Sequence, residues 1–220
     1  MDPTTPAPLI DAGFLLRWLA TATEDVEREA VRLTELDSPI GDADHGSNLR
    51  RGFIAARATL EREPPDSPGG VLVAVGRQLI STVGGASGPL YGTLLRSAGK
   101  VLGEEVLVTP EQLAKALNSG VEAVARLGGA VPGDATMIDA LTPAVAALAF
   151  ALDSGAELAA ALSAAALAAD EGAEATIPLQ ARKGRASYLG ERSIGHRDPG
   201  ATSSALLVTS LARIAGEAGR

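Results

Sequence analysis

Three carboxylates crowd into one short, irregular stretch, Leu36-Asp37-Ser38-Pro39-Ile40-Gly41-Asp42-Ala43-Asp44-His45-Gly46-Ser47-Asn48. Oxygen ligands of this kind suit Mg²⁺, a hard cation that keeps several water or phosphate ligands of its own. Asp42 and Asp44, two apart, can point the same way in an extended segment, and Asp37 can reach back from the end of a preceding helix. Three carboxylates can hold one or two Mg²⁺ ions with coordination positions left open. The same spacing also fits an aspartate-rich turn in which Asp44 or Ser47 caps the next helix. It does not fit an EF-hand: counted from Asp42, the turn glycine comes one place early and the twelfth position is Phe53 rather than a bidentate Glu.

Three further connections carry more than a helix–helix turn requires. In Val83-Gly84-Gly85-Ala86-Ser87-Gly88-Pro89-Leu90-Tyr91-Gly92-Thr93 the glycines let backbone N–H groups approach an anion. A helix starting near Pro89 would add its positive end, and Ser87 a hydroxyl. The loop lacks the Gly-Lys-Ser/Thr of a Walker A motif and the preceding strand of a dinucleotide fingerprint, and a close turn needing small residues explains it equally well. In Gly128-Gly129-Ala130-Val131-Pro132-Gly133-Asp134-Ala135-Thr136-Met137-Ile138-Asp139, Asp134 is expected to cap a helix near Thr136. Met137 there suits either a base pocket or the core. The longest connection runs from Gln180 to Gly200 with little helical periodicity, and loops of that length are functional or disordered. Its residues 182–197 hold Arg182, Lys183, Arg185, Arg192 and Arg197 against the single acid Glu191. Such a basic segment reads as a lid over an anion, because a guanidinium donates paired hydrogen bonds to phosphate, or as a solvated loop.

Charge connects these loops. An aspartate cluster repels phosphate unless cations intervene. A nucleoside diphosphate brings about three negative charges and the aspartates three more; two Mg²⁺ and the basic lid offset them. A metal–nucleotide polyphosphate site at the ends of several helices follows as the expectation.

The elements that must position these loops are helical. The chain is rich in alanine, the best helix former, and strand-like alternation is hard to find. Phe14, Trp18, Ala22, Val26 and Ala30 fall four apart on one apolar stripe, with Glu24, Asp25, Glu27 and Arg28 expected off it. Similar patterns predict about eight helices, over 11–35, 46–61, 69–82, 88–101, 110–127, 136–152, 155–174 and 200–216. Thr109-Pro110-Glu111-Gln112 places a cap, a first-turn proline and an acidic first turn. Antiparallel helices with short loops predict an all-α fold, a bundle or closed barrel, formed as one domain over residues 1–220.

Composition narrows the functions. At 220 residues the chain can build a core without staples, and with no cysteine it has no disulfide, thiolate zinc site or cysteine nucleophile. A net charge of -8 and 3% aromatic residues argue against bare nucleic-acid binding. No apolar run reaches the ~20 residues of a membrane span, and Met1-Asp2-Pro3-Thr4 does not open a signal peptide, so a cytoplasmic protein is expected.

The four loops, in this order, resemble the nucleotide-binding L subunits of bacterial dihydroxyacetone kinases. The matching segments are Ile40 to Gly46, Gly84 to Gly92, Pro132 to Met137 and Ala181 through Ala201, and the likeness covers nearly the whole chain. The resemblance implies a barrel of eight antiparallel amphipathic helices with nucleotide at one end. It implies that Asp37, Asp42 and Asp44 hold two Mg²⁺ bridging the phosphates of ADP (or ATP). His45, Gly46, Ser47, Asn48, Ala86 and Ser87 would contact the nucleotide, Gly128 and Met137 would lie around the base, and Arg185 with Asp198, Pro199 and Gly200 would close the site. A ligand or packing role is expected for His45 and His196, not that of a phosphorylated nucleophile.

The likeness also implies a kinase subunit that is inactive alone, because in that family a histidine on a separate K subunit binds dihydroxyacetone. Family members either exchange ATP each turnover or keep ADP bound while a phosphohistidine protein of the phosphotransferase system rephosphorylates it. The motifs favour the second mode. A homodimer is compatible with the sequence. Two other readings stay open at this point: a nucleotide-sensing regulatory protein, and a metal-stabilised helical bundle without nucleotide.

Overall fold

The computed structural model of the chain describes residues 9–218. Eight α-helices appear where the periodicity predicts them, with ends displaced by at most three residues: α1 (Ala12–Asp37), α2 (His45–Arg62), α3 (Pro68–Thr82), α4 (Ser87–Leu102), α5 (Pro110–Gly128), α6 (Met137–Asp153), α7 (Leu158–Glu174) and α8 (Pro199–Ala218). The stretch Met1-Asp2-Pro3-Thr4 lies outside the described residues. None of the described helices is long and apolar enough to cross a membrane.

Local chemistry sets the boundaries. Thr109 accepts the N–H of Gln112 while the Gln112 side chain accepts the N–H of Thr109, a reciprocal capping box. Gly155, at φ 82°, turns the chain between α6 and α7, and helix resumes only after Glu157. One feature was absent from the sequence expectation. Ile10–Asp11 (β1) and Leu107–Val108 (β2) pair as a two-residue antiparallel ladder, Ile10 opposite Val108. Two residues are too few to produce a readable alternation.

Each helix packs on the next in chain order, and α8 packs on α1, so the ring closes. The connections between packed neighbours, short except between α7 and α8, reverse the chain each time, which brings every second connection to the same end. The predicted stripe faces the interior: Phe14 and Trp18 are 5% exposed, Ala22 and Val26 0%. Asp25 corrects the expectation. It is 2% exposed, not off the stripe, because α8 covers it: its carboxylate accepts from Ser210 at 2.7 Å and Arg213 at 3.1 Å, as well as from Arg28 at 2.6 Å. A buried carboxylate needs such partners. Between α3 and α4 the backbones touch through glycine. A Cβ on Gly99 would lie 2.5 Å from the Gly69 carbonyl, and one on Gly92 2.7 Å from that of Gly76. The interior is filled by side chains around Trp18, Leu95 and Leu148, leaving an apolar cavity of about 70 Å³.

Candidate functional site

The four unusual loops meet at the end of the ring where α2, α4, α6 and α8 begin. Four helices thus present first-turn N–H groups and positive dipole ends to one place, an arrangement suited to an anion. The α1–α2 connection supplies the carboxylates. Asp37, the last residue of α1, is buried, and its Oδ2 accepts the N–H groups of Asp44 at 3.0 Å and His45 at 3.3 Å. It therefore caps α2 from a distance. Asp44 sits at the N-cap position but makes no capping bond with its side chain, and Ser47 Oγ donates to the Asp44 carbonyl at 2.9 Å. The plain capped turn is thus not what forms, and the Asp44 carboxylate stays available. One oxygen from each of Asp37, Asp42 and Asp44 lies within 4.8 Å of the others. Hard oxygen donors at this spacing, two of them not engaged in capping, fit Mg²⁺. Ala43, between Asp42 and Asp44, adopts φ 57°, and Ala135 in the third loop φ 56°. These are the two non-glycine residues with positive φ among those described, and backbone strain of this kind concentrates at functional sites.

Two adjoining cavities open here. The smaller, about 150 Å³, is lined by all three aspartates with Gly84, Gly85 and Arg185. The larger, about 450 Å³, has a mainly apolar wall including Leu90, Val124, Met137 and Ile138. His45, Ala86, Ser87, Lys183, Asp198 and Pro199 line both. A polyphosphate in the smaller space and a base in the larger is the division their chemistry supports. His45 is held between Ser87 Oγ, 3.1 Å from Nδ1, and Ser203 Oγ, 2.8 Å from Nε2. Burial lowers its pKa below the ordinary histidine value, against the pull of Asp37 and Asp44. Burial likewise pushes the Tyr91 phenol up to about 12. The phenol is therefore neutral at neutral pH.

The long basic segment is less loop-like than its sequence suggests. It forms a 3-10 helix (Arg185–Ser193) broken at Gly190, whose φ is 57°. Ser193 Oγ stitches it by donating to the Gly190 carbonyl at 2.6 Å and accepting the N–H of Ala181 at 2.9 Å. Arg185 pairs with Asp42 at 2.8 Å, and Lys183 lines both cavities. Arg197 turns away to Asp170 and Glu174 on α7, where it ties the segment to the ring. The expectation of a uniformly basic lid therefore narrows to Lys183 and Arg185.

Among the sequence candidates, Asp37, Asp42, Asp44, His45, Ala86, Ser87, Gly128, Met137, Arg185, Asp198, Pro199 and Gly200 line one cavity or both. Gly46, Ser47 and Asn48 line neither; they form the first turn of α2, where Gly46 packs on α1 and Asn48 Oδ1 accepts from Arg51 at 2.7 Å. Asp134 does not cap α6. Thr136 does, in a capping box with Asp139, while Asp134 Oδ2 accepts the N–H of Val131 at 3.0 Å and its carbonyl that of Arg182 at 3.0 Å. Sequence reasoning passed over Leu90, Thr136, Ile138 and Lys183 as individual site residues. Lys183 was visible in the basic run, whereas the apolar Leu90 and Ile138 look like any core residue until the helices are placed.

Asp198 caps α8, accepting the N–H of Ala201 at 2.6 Å. Enclosure of its carboxyl pushes the pKa up to about 7, with Asp139 and Asp37 adding repulsion against the Ala201 bond. The folded state therefore holds a proton that the unfolded chain releases near pH 4, so stability declines as pH rises from about 4 to about 7 and is level above. In protein free of metal and nucleotide, Asp198→Asn keeps a capping side chain and removes this dependence. Linkage caps the difference between the two proteins at about 4 kcal/mol, less what water recovers at a half-buried residue. Urea midpoints at pH 5 and pH 8 capture the part that falls between pH 5 and about 7, at most about 3 kcal/mol, and a wild-type–variant difference independent of pH would refute the shifted carboxyl.

Residues 39–213 match the family model described as the DAK2 domain. The chain is 42% identical over 203 residues to the PEP-dependent dihydroxyacetone kinase, ADP-binding subunit DhaL, of Escherichia coli, covering 92% of this chain and 97% of that one. It is 38% identical over 199 residues to the PTS-dependent dihydroxyacetone kinase, ADP-binding subunit DhaL, of Lactococcus lactis, covering 90% and 95%. Its fold is similar to the crystal structure of the dihydroxyacetone kinase from C. freundii in complex with AMP-PNP and Mg²⁺, with a TM-score of 0.68 and 29% identity. That match covers 97% of this chain and 36% of the kinase, so the chain spans about a third of the larger protein's length.

Proposed function

This chain belongs to the DAK2-domain family, and from that premise we propose that it is the ADP-binding subunit of a dihydroxyacetone kinase. In this reading the protein holds ADP as a resident carrier. A phosphoryl group passes by way of that carrier from a phosphohistidine protein of the phosphotransferase system to dihydroxyacetone, itself held by a separate K subunit in the cytoplasm. Relatives that bear the PEP-dependent and PTS-dependent names match over nearly their full length, which favours this mode over a fused ATP-using kinase.

The observation that carries the reading is the carboxylate trio opening into a cavity bordered by the starts of α2, α4 and α8. Asp37, Asp42 and Asp44 would hold two Mg²⁺, which when bound would neutralise phosphate charge and act as a Lewis acid and template. The chain's own residues position and exclude. The first turn of α4 offers N–H groups to the phosphates, and Ser87 offers a hydroxyl. Lys183 and Arg185 cover the anion from the lid, and Leu90, Met137 and Ile138 enclose the base. Phosphoryl transfer asks little else of a protein, since it depends on alignment and charge stabilisation. No side chain is required as a covalent carrier, and His45, engaged on both nitrogens inside the core, is unsuited to be one.

Acid-denatured protein should release ADP, and the bound nucleotide should exchange slowly with labelled ATP. Transfer to dihydroxyacetone should require both the K subunit and the phosphohistidine donor. Rapid exchange with turnover on ATP alone would replace the resident-carrier mode by an ordinary ATP kinase. Absence of nucleotide, or no transfer with all components present, would refute the assignment.

A further inference from the structure

Behind Ser87 and His45 lies a run of hydroxyls that the functional reading leaves without a task. Tyr91 on α4 and Ser203 and Ser204 on α8 are buried, at 1%, 0% and 0% exposure. The Tyr91 hydroxyl lies 2.6 Å from Ser203 Oγ and 2.9 Å from Ser204 Oγ. Ser203 Oγ is 2.8 Å from His45 Nε2, and His45 Nδ1 is 3.1 Å from Ser87 Oγ. Ser87, half-buried, ends the run at the cavities.

A neutral imidazole carries one N–H and one bare nitrogen, and each hydroxyl donates once. Two donor directions satisfy the run. In one, Ser204 donates to Tyr91, Tyr91 to Ser203, Ser203 to His45 Nε2, and His45 Nδ1–H to Ser87. The Ser87 proton is then left over and faces the cavity. In the other, Ser87 donates to Nδ1 and Nε2–H donates to Ser203, while Tyr91 and Ser203 turn to the Gly200 carbonyl, 3.1 and 3.2 Å away. An anion would then meet only the lone pairs of Ser87. A phosphate oxygen selects the first direction, since a hydrogen bond to a charged acceptor is the strongest in the series.

We propose that Tyr91 and Ser203 are positioning residues for phosphate binding: acting through His45, they direct a donor chain that ends with Ser87 Oγ–H on the nucleotide phosphate. The inference rests on the functional reading above and deepens it. Neither residue was singled out by its sequence context. The chain runs across the opening two turns of α4 and α8 and the first residue of α2, so one ring orientation serves three separate segments.

The test uses the full-length chain labelled with ¹⁵N and carrying His196→Gln, so that one imidazole remains. With Mg²⁺ and ADP bound, the ring ¹⁵N shifts should report the Nδ1–H tautomer of His45. Tyr91→Phe and Ser203→Ala should lose that preference and release ADP about tenfold faster, the cost of one hydrogen bond. An Nε2–H tautomer in the otherwise unaltered, ADP-loaded protein overturns the proposal, as does ADP release that both substitutions leave unchanged. Because the tautomer is read in protein with its hydroxyls intact, misfolding of a variant does not remove the test. Protein that retains no ADP in Mg²⁺ overturns the functional reading itself, and this inference with it.

Discussion

Asp42→Ala should weaken ADP retention on the order of a thousandfold, about 4 kcal/mol, while leaving helical circular dichroism and the urea midpoint nearly unchanged. The separation of the two effects follows from where Asp42 sits. Its side chain is exposed, and the contact it makes in the described structure is the pair with Arg185, itself 67% exposed. Exposed pairs contribute little to folding. Yet its carboxylate is one of three converging on one point. Asp37→Ala would not separate the effects, because Asp37 also accepts two backbone N–H groups at the head of α2. Equilibrium dialysis with Mg²⁺ and ADP, beside circular dichroism, measures both quantities. Undiminished ADP retention would mean that Asp42 holds no metal, and collapse of the helix signal would make the trio a structural cluster.

The second large effect is expected at Gly46, where substitution should damage fold and site together. A Cβ there would stand 1.9 Å from the Ala30 carbonyl oxygen and 2.7 Å from Thr34 Oγ1. The obstructing oxygen is backbone in the middle of α1, so α2 must move away from it as a body. Overpacking costs about 1–3 kcal/mol and more when backbone must shift, so Gly46→Ala should lower stability by about 3 kcal/mol. The displaced turn carries the N–H groups of Asp44 and His45, so ADP binding should weaken as well. Gly85→Ala is the control: nothing lies within 4 Å, and its φ of 66° leaves a strain of about 1 kcal/mol. Equal urea midpoints for the two variants would contradict the close approach of α1 and α2.

Gly46 also marks where sequence reading stopped. It was picked out for nucleotide contact, on the strength of its motif, but its need for a missing side chain comes from Ala30, a partner on the preceding helix. The eight helices were legible because apolar periodicity is written locally, residue by residue, as in Phe14, Trp18, Ala22 and Val26. The clustering of Asp37, Asp42 and Asp44 was legible for the same reason, since they share one connection. Asp25 was not, because its partners Ser210 and Arg213 arrive from α8. Tyr91 and Ser203 were hidden likewise: each looks like a polar residue on a helix until α4 and α8 are packed. The basic run was visible as charge, but only geometry separates Arg185, facing Asp42, from Arg197, facing α7.

Closure of the ring by α8 against α1 has a bearing on biogenesis. Chains fold broadly from the N-terminus as they are made. Of the eight helices, α8 is the latest in chain order, and it delivers Asp198, Pro199 and Gly200 to the pocket as well as the seam that joins the two ends. Without α8, the faces of α1, α6 and α7 that it covers would be open, and the cavities would lack Asp198, Pro199 and Gly200. On the function proposed above, ADP would be captured only once α8 has docked. It then serves as a lock on that last seam, because anything bound among the four helix starts holds α8 in place.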